Sequence, residues 1–368
     1  MRRILVSIAA VLLFPTACSL PALQAGEPTA QQGYQVLAPI HHGSLTIFPV
    51  VAVRSHDTNA FLTLDEGLRS GEVVITEAGN LSPLVRPRHA HPVWEEQRHN
   101  GAEVNRLVLV NNSKRPLLLL AGEIVTGGKQ DRIIGKDRLV PAESDPVDLG
   151  VFCVEPGRWV ETSGKFSTPV SNNFIGGLVQ PSVRAKAMAN KNQQQVWDQV
   201  RSEQVSVAAA MPPPARAQVE TTSSYARVMQ NAEVEHKLDS IAAPMQQEYQ
   251  SVIAQLRDKH AVGVVVAVNG EIIWADVFAS TQLLEKYWPK LVRSYAAESA
   301  FQTATSVSPT QSAAQKFLDT LQGRREVVEN EPGLYRHTEI SGDGFKVFEL
   351  ASLLPGTGFD LHVAKMTE

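Results

Sequence analysis

Cysteine is scarce: Cys18 and Cys153 are the only two in 368 residues. With Cys18 near the start, the body of the chain holds one thiol and no internal disulfide, which excludes a disulfide-stapled scaffold. A basic excess is also missing, since 34 Lys and Arg stand against 38 Asp and Glu. That leaves no electrostatic footprint for nucleic acid. No stretch reaches the roughly 20 apolar residues of a membrane-spanning helix. There is no internal repeat and no Gly-x-Ser-x-Gly elbow. Gly157 and Gly164 imitate a phosphate loop, but six residues separate them instead of four and Phe166 replaces the required Ser or Thr. His89, His91 and His99 lie among charges and Pro92, with no acidic or cysteine partner at ligand spacing, so neither a metal nor another cofactor is expected. Stability must come from an apolar core, which a chain of this length can build.

The first residues carry a positive signal. Arg2 and Arg3 precede the apolar run Ile4 to Phe14, the pattern of a secretory signal. Export to the periplasm or the exterior is therefore expected. Two exit routes fit: an ordinary signal over residues 1–25, or a lipoprotein signal over 1–17 that leaves a lipid on Cys18 as the chain's one membrane contact. Residues 26–35 read as a disordered tether and 36–366 as a single domain.

Within that domain the pattern is β-rich from Leu37 to about Trp159. Strands are expected over Leu45–Val53, Glu72–Thr76, Asn105–Val110, Pro116–Val125, Lys129–Ile134, Arg138–Val140 and Leu149–Val154, with a short helix over Thr63–Leu68. Asn111 to Arg115 reads as a hairpin loop. The run Leu117 to Leu120 lacks alternation, so both its faces should be covered. Helical spacing follows over Val183–Val207 and Val234–Arg257, separated by a low-complexity surface loop at 208–224. Asn269-Gly270 between two apolar runs predicts a type I′ hairpin. Helices over Thr281–Ala304 and Ser308–Leu321, then strands over Gly333–Glu339, Phe345–Leu350 and Asp360–Ala364, complete the chain. Strand and helix blocks are segregated, which predicts an α+β fold, mainly antiparallel, with the late strands joining the first sheet in one interleaved domain.

The charged residues concentrate between Glu123 and Trp159. A symmetric loop centred on Gly127-Gly128 sets Glu123 opposite Arg132, with Gln130 on the same face and Lys129 and Asp131 on the other. A carboxylate in an apolar strand needs a partner, and Arg suits it best. Glu155-Pro156-Gly157-Arg158 reads as a type II turn with Glu155 and Arg158 paired across it. Two readings fit these residues. They are ion pairs that hold a sheet, with Trp159 as a core anchor, or they line a binding wall. Cys153, mid-strand, reads as core.

The same stretch resembles the signature of the ARG and rhodanese-phosphatase-superfamily-associated domain family. The matching residues are Gly122, Glu123, Gly127, Lys129, Gln130 and Arg132, then Leu139-Val140-Pro141, then Cys153-Val154-Glu155 and Gly157-Arg158-Trp159. Val266 to Ala296 is similar to that family's later hairpin and helix, and the resemblance runs from Val36 to Leu353. Asp131 departs from it, where Asn is expected, and Arg86 to His99 reads as an insertion. The resemblance implies a common fold and a shared charged cluster, and supplies no reaction. The expected function is an extracytoplasmic module that binds a protein or a small ligand through Glu123, Lys129, Gln130, Arg132, Glu155, Arg158 and Trp159. The alternative is a hydrolase of anionic or glycan substrates, with Glu123 or Glu155 as acid/base and Arg132 and Arg158 stabilising charge. No catalytic residue is assigned.

Overall fold

A computed structural model describes residues 33–78, 105–170, 176–303 and 307–368. The signal segment with Cys18, and the Arg86–His99 stretch with its three histidines, lie outside the described residues. The fold is α+β, as the segregated pattern predicts.

Its largest sheet is antiparallel and interleaves the two ends of the chain. Leu45–Ala52 pairs with His260–Val268, which pairs with Glu271–Phe278; then follow Asp360–Thr367, Phe345–Ser352, Tyr335–Gly342 and Arg324–Glu331. Gln35–Val36 pairs with Val50 and Val51, so ordered structure begins inside the stretch expected as tether. Asn269 (φ 52°) and Gly270 (φ 86°) close the expected tight hairpin with both residues in the positive-φ region.

Adjacent residues of the sheet enter opposite cores. Ile47, Val264, Trp274 and Phe348 meet the helices Ala232–Ile253 and Thr281–Ala300. Phe48, Val265, Ala275 and Val347 meet the helix Gln311–Asp319 through Ala314 and Leu318. Coverage on both faces explains the unbroken apolar run Ala261–Val268. Ser280 starts the second long helix by accepting a hydrogen bond from the Leu283 amide at 3.0 Å.

Two smaller sheets stack beside this layer. Leu62–Thr63, Leu117–Leu119 and Arg138–Val140 form one; Val73–Glu77, Arg106–Asn111, Val147–Cys153, Arg132–Ile134 and Ile124–Val125 form the other. Leu117 and Leu119 pack with Ile75 and Leu109, whereas Leu118 and Leu120 join the core of the large sheet. The missing alternation at Leu117–Leu120 thus reflects a middle layer buried on both sides. Among the described residues, no helix is long and apolar enough to cross a membrane.

Several local expectations fail for identifiable reasons. Asn111 to Arg115 is not a hairpin loop, because the strands on either side of it belong to different sheets. Asn111 instead anchors the crossing, its side-chain amide donating to the carbonyls of Arg115 and Pro141. The 208–224 loop contains the helix Pro213–Glu220, with proline at its opening positions. Proline suits the first helical turn, where its missing N–H has no intrahelical partner to lose. The π-helical turn Lys186–Asn190 divides the first expected helix.

Candidate functional site

The Gly127-Gly128 turn is wider than symmetry predicts. Val125 pairs with Arg132 and Ile124 with Ile133, so six residues, Thr126 to Asp131, lie in the loop. Glu123 does not face Arg132, which corrects the expected register. Carboxylates fill the turn where cross-strand pairing was expected. The Gly127 amide donates to Asp131 Oδ1 at 3.2 Å and the Lys129 amide to Glu77 Oε1 at 2.8 Å. Gly127 sits at φ 133°, beyond the reach of other residues, and a side chain there would meet Lys165 O at 2.8 Å.

Arg158 clamps this turn from outside. Its guanidinium meets Glu155 Oε2 at 2.6 Å and Asp131 Oδ1 at 3.3 Å. It also donates to the carbonyls of Gly128 (2.8 Å), Val160 (2.8 Å) and Gly127 (3.3 Å), and to Thr162 Oγ1 (3.2 Å). Glu155 and Arg158 therefore pair as expected, but Gly157 is not in the positive-φ region, so the turn is not type II. Trp159 is 50% exposed and Val160 71%, with the Lys129 ammonium 5.9 Å from the indole centroid. Trp159 is thus no core anchor.

Beneath the clamp the polar groups are sealed. Asp131 is buried and accepts from Ser224 Oγ at 2.6 Å. Burial raises its pKa against the pull of Ser224. Gln130 is buried and donates to the Glu155 carbonyl at 3.0 Å. The Glu155 carboxylate accepts from the Asp131 amide at 3.0 Å. Arg132 is fully buried, and burial lowers its pKa. Burial likewise pushes the Cys153 thiol up, so it behaves as core.

Glu123 belongs to a different group. Its carboxylate pairs with the buried ammonium of Lys290 and accepts from the Leu120 amide at 2.7 Å. Lys290 also meets Asp65 Oδ2 at 2.6 Å. Burial pushes the Glu123 carboxyl up to about 7, opposed by Lys290 and reinforced by Asp65. Burial works against the Lys290 charge, but the two carboxylates more than offset it and hold its pKa above the usual value. Burial, with Asp65 adding to it, accounts for the first shift, and two carboxylates on one ammonium account for the second. This group borders a cleft of about 60 Å³ between the loop ending at Leu178 and the helices Tyr225–Met229, Ala232–Ile253 and Thr281–Ala300.

A third group joins the layers. Arg184 binds Asp276 with two parallel hydrogen bonds of 2.9 and 3.1 Å and donates to the Ala121 carbonyl. His362 lies between Asp276 (3.1 Å) and Asp137 (2.6 Å), and Tyr295 donates to Asp276. All four ionised side chains are fully buried. Burial opposes the His362 charge, yet Asp137 and Asp276 raise its pKa to about 9. Asp276 is held far below the carboxylate range, burial being outweighed by Arg184.

The sequence-read residues thus divide. Lys129, Gln130, Arg132, Glu155, Arg158 and Trp159 assemble around the turn, while Glu123 does not join them. Among the described residues Glu123 and Glu155 share no partner, and each already holds a cation. Lys290, Asp65 and the Arg184–Asp276–His362–Asp137 group were not singled out from the sequence. A signal was available for three of these residues: Lys290 shares helical spacing with Tyr287 and Ser294, and Asp276 and His362 interrupt apolar strands. No curated protein and no solved structure matches the chain. Residues 33–364 match the ARG and Rhodanese-Phosphatase-superfamily-associated Protein domain, and the chain belongs to that family.

Proposed function

We propose that the chain is an exported, non-enzymatic binding module whose contact face is the loop from Arg158 to Lys165, with Trp159 and Val160 as its apolar anchor. One observation carries this reading. A half-exposed tryptophan stands on a loop pinned by six contacts from the neighbouring guanidinium. Interface energy concentrates in tryptophan and arginine. A loop already held in place avoids part of the ordering cost of association, which runs at roughly 0.5–1.5 kcal/mol per side chain immobilised. The fitting partner offers an apolar pocket to the indole and a carboxylate to Lys129. The Arg2-Arg3 and Ile4–Phe14 pattern supports export. The hydrolase reading gains nothing from Glu123 and Glu155, which lie in separate groups.

A thermal-shift screen of peptides and acidic oligosaccharides tests the reading. A bound compound should weaken at least about tenfold in Trp159→Ala, with the unliganded Tm unchanged. A compound that binds equally well to Trp159→Ala and Arg158→Ala removes the proposed face.

A further inference from the structure

His337 is a buried titratable side chain that none of the three groups uses. It is 1% exposed, and among the described residues neither ring nitrogen has a hydrogen-bond partner. It lies in the strand Tyr335–Gly342, between Leu350 on one neighbouring strand and Glu329 on the other, with the Phe348 ring centroid 6.3 Å from its own. The middle-layer strand Arg138–Val140 packs against the same strand. The charged groups around the imidazole are already claimed. Asp137 holds His362 and accepts from the Ala121 amide. Glu329 holds Lys136 across the layers, and Glu339 holds Lys191 at 2.7 Å. Arg138 donates to the Asp148 carbonyl at 2.6 Å. Leu350 and Phe348 bring no charge. Burial lowers the His337 pKa below the usual 6.5, against the pull of Asp137, Glu339 and Glu329.

The strand facing it through Glu329 has little else to hold it. Arg324–Glu331 ends the large sheet, pairs among the described residues with Tyr335–Gly342 alone, and is irregular between Val327 and Glu329. Seven of its eight residues are exposed. The opposite end of the sheet is fastened, because Gln315 accepts from the Val36 amide and Gln311 donates to the Val36 carbonyl, each at 2.8 Å. We infer that His337 is a proton-operated latch: as a neutral imidazole it closes the joint between Arg324–Glu331 and Tyr335–Gly342, and in acid it takes up a proton by letting the terminal strand lift. An imidazolium in the closed joint would have neither water nor an unclaimed carboxylate. The Lys136–Glu329 and Lys191–Glu339 pairs lie at the rim, where water weakens them. Lifting one terminal strand therefore costs less than unfolding the domain. The folded pKa lies below the unfolded one, so the closing contribution is present above pH 6.5 and is lost as pH falls through the folded value. Glu123 stabilises the whole fold over the same fall in pH, so the latch is read locally. It does not involve the Trp159 loop.

Amide hydrogen exchange of the full chain at pH 8 and pH 5, corrected for the intrinsic effect of pH on exchange, tests the latch. Opening of Arg324–Glu331 and of the amides facing it should rise by up to about thirtyfold at pH 5. That ratio follows from an imidazole of pKa about 6.5 in the open joint and a neutral one in the closed joint. Val36, at the fastened end, should show no rise. His337→Phe fills the site without a titrating group and should abolish the rise; His337→Leu serves where the larger ring disturbs folding. A rise below about threefold in the parent overturns the inference, as does a rise that persists in the variants. So does an NMR titration of the parent in which the His337 ring charges at or above pH 6.5 while both strands stay protected.

Discussion

The Arg184 group and the Arg158 group use the same residue types in opposite ways. Arg184, Asp276, His362 and Asp137 come from four separate segments, are wholly removed from water, and bond mainly side chain to side chain. Arg158 keeps an edge in solvent, and half of its six contacts are backbone carbonyls of one turn and one loop. A charge that water cannot reach makes its partners dependent on it. A charge at the rim can be replaced by water at small cost. The first arrangement therefore joins layers, and the second shapes a surface.

The sharpest way to break this comparison is Asp276→Ala. It strands Arg184 and His362 in the interior, and removing one partner of a buried pair costs about 3–5 kcal/mol. Urea denaturation should show a loss of that size, and a loss under about 1 kcal/mol would place the group outside the fold's essential supports.

Next in size is a pH effect. The folded pKa of His362 lies above the usual 6.5, at about 9. Its contribution is full below pH 6.5 and is lost as pH rises through 9, an effect of at most about 3 kcal/mol. Glu123 acts in the same direction between 4.5 and about 7, because the unfolded chain ionises first. Asp276 and Asp137 are held below 3.8, so their contribution is present above that pH and fails only in stronger acid. Stability should therefore peak in mild acid and decline towards pH 9, and His362→Gln should remove the decline above pH 7. A flat profile in the parent protein would deny the charged histidine.

Arg158→Ala should cost less, about 1–2 kcal/mol, since solvent takes over part of its hydrogen bonding. An effect equal to that of Asp276→Ala would erase the distinction. Trp159→Ala should change stability by no more than about 0.5 kcal/mol, because the indole is half in water already.

Sequence periodicity was sufficient where local chemistry decides. Asn269-Gly270 dictates its turn, and the apolar positions Leu283, Leu284, Tyr287, Leu291 and Tyr295 all reach the core. It failed where distant side chains take over. Glu77, 52 residues before Lys129, accepts that residue's amide and helps to widen the Gly-Gly turn, which moves Glu123 away from Arg132. Lys290 and Asp65 are 225 residues apart, so no spacing rule could join them. The Glu155–Arg158 pair was legible because only three positions separate its members. Export remains tied to the first residues, as part of the proposal.

Amide hydrogen exchange in Arg158→Ala tests the central claim most directly, that this arginine holds the Trp159–Val160 surface in place far more than it supports the fold. Protection should fall most at the amides of Arg158 and Thr162 and at those of the turn from Thr126 to Lys129, while the strands Val147–Cys153 and His260–Val268 lose no more than the roughly 5–30-fold that 1–2 kcal/mol allows. Unchanged exchange in the loop, or a loss in those strands as large as that in the loop, would contradict it.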